Sequence, residues 1–199
     1  GNALFANAGS VESLCPKCCA TALFCLQIEC PSGGSGHNAG LRGARGTCTT
    51  IVQGDSLWQT TVLNLPLDKP PASPDNHQKV FPWLLPTRTA KTGKTTPEDV
   101  SPLQEYWPTP ARIRIGTAGF CSLPCGLCGA EGSFQVCRYT KQPGGVSYPS
   151  EDCWRHALSP YQTKPVKPLV IGLGGPAFRD YLGLVVSGPR REFAAMVAK

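Results

Sequence analysis

Charged residues are scarce in this chain, 16% of 199, against roughly a quarter in an ordinary globular domain. The net charge of +6 is therefore a modest excess, which favours an anionic partner without naming one. No apolar run is both long enough and free of glycine to cross a membrane. No signal peptide opens the sequence, and the eleven cysteines are odd in number, which argues against a secreted disulfide scaffold and for metal ligation in a reducing, cytoplasmic setting. Three catalytic or nucleotide signatures fail in turn. Gly93-Lys94-Thr95 would need a glycine at the position of Arg88 to make a phosphate-binding loop. Trp154-Arg155-His156-Ala157-Leu158-Ser159 holds His and Ser without a nucleophile elbow, so His156 reads as structural. Leu169-Val170-Ile171 followed by Gly172, Gly174 and Gly175 lacks the later strand with an acidic end that a dinucleotide site requires.

What the sequence has in excess is glycine and proline, 22 and 20 residues, which predicts long connecting loops. The apolar stretches Ala20 to Ile28 and Pro168 to Val186 argue against a wholly disordered chain. A length of 199 residues supplies one substantial core or two small ones. The opening at Gly1 and the amphipathic finish read as a piece of a longer protein.

Two close cysteine pairs stand out, Cys15-Pro16-Lys17-Cys18 and Cys125-Gly126-Leu127-Cys128. The two-residue gap lets both thiolates of one turn reach a common ion, and two such knuckles complete a tetrahedral Zn²⁺ site. Because they lie much farther apart than in a small zinc ribbon, the ion would link distant segments. Four thiolates make a closed, structural site with no open position for water. Cys19 and Cys121 adjoin the pairs and leave an alternative register open, while Cys25 and Cys30 read as small packed side chains.

A helix is expected over Cys19 to Gln27, stopped by Pro31. Ser32 to Gly46 then carries glycine at 33, 34, 36, 40, 43 and 46 beside His37, Arg42 and Arg45. Such backbone can lie close to a ligand with an arginine on a phosphate, or it can be a plain surface loop. Thr47 to Val52 reads as a strand and Leu57 to Leu65 as a strand or short helix, both buried. Asp68 to His77 and Thr87 to Ser101 read as loops, the second exposed or mobile, with Phe81-Pro82-Trp83-Leu84-Leu85 as an apolar anchor between them. Ala111-Arg112-Ile113-Arg114-Ile115 alternates as a half-buried strand with both arginines on one face. Arg138, Tyr139 and Lys141 form a basic and aromatic group before the turn Pro143-Gly144-Gly145. The fold class is α+β, an irregular, loop-rich mixed globular domain braced by the zinc site.

In order and spacing, Cys15-Pro16-Lys17-Cys18, Ala22-Leu23-Phe24, Gly33-Gly34, Gly40-Leu41-Arg42-Gly43, Leu57-Trp58-Gln59-Thr60, Arg112-Ile113-Arg114-Ile115, Cys125-Gly126-Leu127-Cys128-Gly129 and Trp154-Arg155-His156 with Ser159-Pro160-Tyr161 resemble the CasA family, the large subunit of the type I-E CRISPR surveillance complex Cascade. The resemblance spans nearly the whole chain. It implies that residues 1–199 belong to the family's N-terminal globular domain, with the C-terminal four-helix bundle absent. It implies a non-catalytic subunit that recognises the protospacer-adjacent motif of duplex DNA from the minor groove and helps recruit a helicase-nuclease. By position, Ser32, Gly33, Gly34, Ser35 and Gly36 would form the groove loop, with Arg42, Arg138 and Lys141 as further DNA contacts. Phe5 and Asn7 would touch the guide RNA or neighbouring subunits. Some family members lack the cysteines, which makes the ion a brace. Minor-groove edges carry a degenerate code, so a loop poor in side chains can accept several related motifs; Ser32 and Ser35 depart from the all-glycine loop. Two other readings remain open: a zinc-braced protein-interaction module, and a thiol enzyme using Cys153 near His156, whose nucleophile would need a depressed pKa.

Overall fold

The computed structural model describes residues 11–30, 35–43, 47–65, 75–149, 154–170, 181, 184 and 186–198. Phe5, Asn7, Ser32, Gly33, Gly34, Arg45, Cys153 and the glycines at 172–175 lie outside the described residues. Within them the chain is α+β and loop-rich, with helices α1 (Pro16–Ile28), α2 (Leu57–Leu63) and α3 (His77–Val80). Seven short strands follow: β1 (Arg112–Arg114), β2 (Phe120–Cys121), β3 (Gln135–Val136), β4 (Thr140–Gln142), β5 (Tyr161–Thr163), β6 (Val166–Pro168) and β7 (Arg191–Glu192). They pair antiparallel as β1-β4, β2-β3 and β6-β5-β7. No described helix is long and apolar enough to cross a membrane.

Helix α1 starts three residues earlier than the sequence suggests, because the first knuckle is its first turn. Cys15 is the N-cap in extended conformation and its sulfur accepts the Cys18 N–H, while Pro16 takes the first helical position, where a missing N–H costs nothing. The helix is the spine on which the rest is hung. Phe24 packs on Trp107 with the rings tilted and their centroids 5.4 Å apart. The Gln27 amide pairs with both main-chain groups of Ala111, at 2.8 and 3.0 Å. Glu29, its C-cap, meets Arg42 at 2.9 Å.

The core is small and holds polar groups among its apolar ones. Arg42 is buried, and its guanidinium donates to Ser159 Oγ (2.8 Å), Glu29 Oε1 (2.9 Å), the Cys48 carbonyl (2.8 Å) and Thr49 Oγ1 (2.7 Å). One planar, multiply donating cation therefore joins the end of α1, the extended chain at 48–49 and the segment before β5. Buried His156 belongs to the same packing: its ring meets Tyr106 at 5.1 Å, its Nδ1 accepts the Leu158 N–H, and its own N–H donates to the Tyr161 hydroxyl. The structural reading of His156 agrees with these contacts. Trp154 Nε1 donates to the Thr95 carbonyl at 2.9 Å, satisfying the one polar atom of a buried indole.

Two expectations are corrected. Thr47 to Val52 is extended but joins no ladder; it makes single bonds from Cys48 N–H to Leu169 and from Thr50 N–H to Leu158. Leu57 to Leu63 is a helix, and neither segment is buried: Leu57 is 84% exposed, Trp58 75% and Ile51 58%. The reason is local. Ser56 caps α2, and the Asn64 side chain both accepts from Val52 N–H and donates to Val52 O, so the backbone is satisfied without a covering layer. The loop from Thr87 to Ser101 is exposed over much of its length, as expected, and is docked at one point: Thr95 is fully buried, its N–H donates to Ser147 O at 2.8 Å, and Arg88 reaches Thr95 Oγ1 and Asp99.

Removing the Arg42 side chain leaves Glu29 and Ser159 without their partner. Arg42→Ala is expected to destabilise the chain by about 3 kcal/mol, read as a lowered urea midpoint, with Arg42→Lys recovering only part because an ammonium cannot span the same fork of acceptors.

Candidate functional site

The two knuckles converge through backbone contacts that surround them. Leu14 and Val136 exchange both main-chain hydrogen bonds, at 3.0 and 2.7 Å, so β3 runs beside the residues that lead into Cys15. Ser13, buried, accepts the Gly126 N–H through its carbonyl (2.9 Å) and donates from its hydroxyl to Pro124 O. A Cβ on Gly126 would sit 3.3 Å from Val11, so the close crossing of residues 11–13 over the second knuckle favours glycine there. Gly129, at φ +72, closes the knuckle by donating to the Cys125 carbonyl at 2.8 Å.

The result is a cluster in which the sulfurs of Cys15, Cys18, Cys125 and Cys128 all lie within 4.8 Å of one another. Cys15 and Cys128 sulfurs are 3.7 Å apart. A tetrahedral ion with metal–sulfur bonds of about 2.3 Å needs sulfurs about 3.8 Å apart, so the set fits a single soft divalent cation after slight contraction. A multi-iron cluster would demand a wider cage. The thiols are strongly coupled even without an ion. Cys125 is pulled down to about 6, chiefly by the Cys15 main-chain N–H and then by that of Cys128. Cys18 is pushed up to about 12, chiefly by its hydrogen bond with Cys15 and then with Cys128. The Cys125 thiolate thus forms readily, while the Cys18 thiol resists ionisation.

Among the described residues, the sulfurs that gather belong to the two close pairs and not to their neighbours Cys19 and Cys121. Cys19 is buried with its thiol pushed up by desolvation and lies outside the cluster. Cys121 is joined to Cys137 in a disulfide between β2 and the end of β3, against the expectation that cysteines here serve only metal and packing. Buried Cys30 packs as expected, with its sulfur 3.6 Å from the Asn38 carbonyl.

Of the five residues expected to form a groove loop, Ser35 and Gly36 are described, and both are exposed. Gly36 has φ +77, and an added Cβ would stand 3.0 Å from Pro143 Cβ, so both conformation and space favour glycine. Its carbonyl accepts the Gly144 N–H at 2.8 Å, and Asn38 Nδ2 donates to Gly145 O at 2.7 Å and Val146 O at 3.2 Å. The foot of the loop is thereby fixed to the turn that follows β4. Lys141 lies exposed on β4, and its charge reaches Cys30, two residues ahead of Ser32. Arg138 is exposed just before β4.

Arg42 does not join them. The expectation that it contacts DNA fails on its burial and its four acceptors, and Gly40-Leu41-Arg42 turns inward, with Gly40 N–H on Cys30 O. Sequence reasoning placed Arg112 and Arg114 on one face of a strand, and both are exposed. It missed that β4 pairs with that strand, setting Ile113 opposite Lys141; the turn signal Pro143-Gly144-Gly145 was visible, but no local pattern names a partner some thirty residues away.

These features, a double knuckle, a glycine loop anchored to a basic ribbon and a Trp-Arg-His segment with Trp154 and His156 buried, lie in the order noted in the sequence. A model of the family "CRISPR-associated protein Cse1" matches residues 1–199, the full length of the chain, which therefore belongs to the Cse1 (CasA) family of CRISPR Cascade subunits.

Proposed function

We propose that this chain is a non-catalytic DNA-binding subunit of a type I-E Cascade, corresponding to the N-terminal globular part of the CasA large subunit. In this reading Ser32, Gly33, Gly34, Ser35 and Gly36 lie in the minor groove at the protospacer-adjacent motif, with Lys141 and Arg138 reaching the same duplex. Phe5 and Asn7 meet the guide RNA or adjoining subunits, and the assembled complex receives the helicase-nuclease in the cytoplasm. The observation that carries the reading is the fixed foot of the glycine loop: Gly36 and Asn38 are bonded to residues 144–146, immediately after the strand that bears Lys141. A loop with almost no side chains gains groove contact only if its backbone is held rigid, since ordering free glycine backbone costs more entropy than ordering any other residue. Exposed Leu57 and Trp58 on α2 suit contact with protein subunits rather than with DNA.

The ion proposed for the sulfur cluster is Zn²⁺. Bound there it would supply cross-linking and charge neutralisation, with no water position for hydrolysis. Cys15 and Cys18 would hold it from the start of α1, and Cys125 and Cys128 from the loop between β2 and β3.

Purified chain should contain about one zinc per molecule, measured by elemental analysis, and Cys125→Ser should lose the ion and lower the melting temperature. Affinity for the ion should weaken as pH drops, because protons compete with the metal for all four thiolates, and the dependence should steepen by about one proton below about 6, where Cys125 also takes up its proton. Affinity independent of pH would contradict ligation by thiolates.

In a reconstituted complex, Gly34→Leu and Lys141→Ala should each reduce the preference for motif-bearing over motif-free duplex by on the order of tenfold, with the thermal melt of the chain unchanged. Full preference in both variants would refute the groove reading.

A further inference from the structure

The β1–β4 ribbon has a second face that the proposed groove contact does not use. Residues directly opposite in an antiparallel pair project to the same side, so the register Arg112↔Gln142 and Arg114↔Thr140 puts two arginines, a glutamine and a threonine on one face. Ile113 and Lys141 occupy the other. All four residues of the first face are exposed. Arg112 and Arg114 stand two residues apart, about 6.8 Å at the rise of an antiparallel strand, comparable to the step between successive phosphates of a nucleic-acid strand.

The electrostatic surroundings are one-sided. From Trp107 to Pro149 the chain contains four cations, Arg112, Arg114, Arg138 and Lys141, and a single acid, Glu131. Among the described residues none of these four cations is in an ion pair with a carboxylate; the described pairs are Arg42 with Glu29, Arg88 with Asp99 and Arg155 with Glu192. Ala90 N–H donates to the Gly144 carbonyl, which brings exposed Lys91 to the same end of the ribbon. Among the described residues the Arg112 side chain makes one hydrogen bond, to the Pro143 carbonyl at a long 3.5 Å. A structural arginine in this protein looks different: Arg42 is buried with four close acceptors. Arginines left exposed, unpaired with acids and spaced on one strand face are free to form forked hydrogen bonds with phosphate oxygens, while a glutamine amide and a threonine hydroxyl beside them can bond the same backbone.

We infer that the Arg112, Arg114, Thr140 and Gln142 face is a sequence-blind rail for the sugar-phosphate backbone of the DNA, separate from the groove contact on the Lys141 side. The inference rests on the proposed function only for the polymer being DNA. The rail contributes affinity without selectivity, because phosphates carry no base information.

The test uses the full, metal-loaded chain with short duplexes bearing or lacking the motif, titrated across a range of salt. Arg112→Gln with Arg114→Gln keeps the strand polar and should weaken both duplexes by the same factor, on the order of tenfold near 0.1 M salt, and flatten the slope of log affinity against log salt by about two. Arg112→Lys with Arg114→Lys should restore the slope. Unchanged affinity and slope in the Gln pair would overturn the rail, as would a loss confined to the motif-bearing duplex or a loss that the Lys pair does not recover. Lys141→Ala separates the two ideas. If it alters motif preference while the Gln pair does nothing, the rail is wrong and the groove reading stands. If only the Gln pair acts, uniformly, the rail stands without it.

Discussion

Four sulfur atoms meeting within 4.8 Å are the constraint from which the arrangement of this protein follows. They fix the first turn of α1 against the loop between β2 and β3, more than a hundred residues later in the chain. Within the cluster the Cys125 thiol is acidified, chiefly by the Cys15 main-chain N–H, while the Cys18 thiol is made resistant to ionisation, chiefly by its hydrogen bond with Cys15. With the start of α1 pinned, its remaining contacts are set: Gln27 grips Ala111 at the root of the ribbon, and Glu29 meets the buried Arg42. A single helix thereby transmits the position of the sulfur cluster to the glycine loop.

The glycine-rich stretch divides at its middle. Its first half leads to exposed Gly36, whose foot is bonded to the turn after β4; its second half, Gly40-Leu41-Arg42, turns into the core. The burial of Arg42 is paid for by four acceptors from three separate segments, and a guanidinium is the side chain able to meet so many at once. An inward anchor directly after a loop of bare backbone limits the loop's freedom, and glycines alone cannot do that.

The exposed surface has two characters. Around α2, Leu57 and Trp58 stand out into solvent on a unit that satisfies its own backbone through Ser56 and Asn64. Around the β1–β4 ribbon the surface is cationic and nearly free of acid. Apolar projections suit protein neighbours and unpaired arginines suit phosphate, and the two kinds of surface belong to different segments of the chain.

Local patterns in the sequence determined the local structure. The knuckle spacing picked out the four cysteines that cluster, the run after Cys19 named a helix, the alternation at Arg112 to Ile115 named a strand with its arginines on one face, and Trp154 to Tyr161 was read as structural, because each depends on neighbours a few residues away. Burial was another matter. Leu57 and Trp58 look like core residues by composition, yet no described element covers them; Thr95 sits in a polar loop and is fully buried. Arg42 had the type and setting of a phosphate ligand, and only its partners at positions 29, 48, 49 and 159 show it to be a core cation. Which strand pairs with β1, and so which side of it Lys141 occupies, was likewise decided by contacts across long loops, whose closure depends on the whole fold and leaves no mark in any short stretch of sequence.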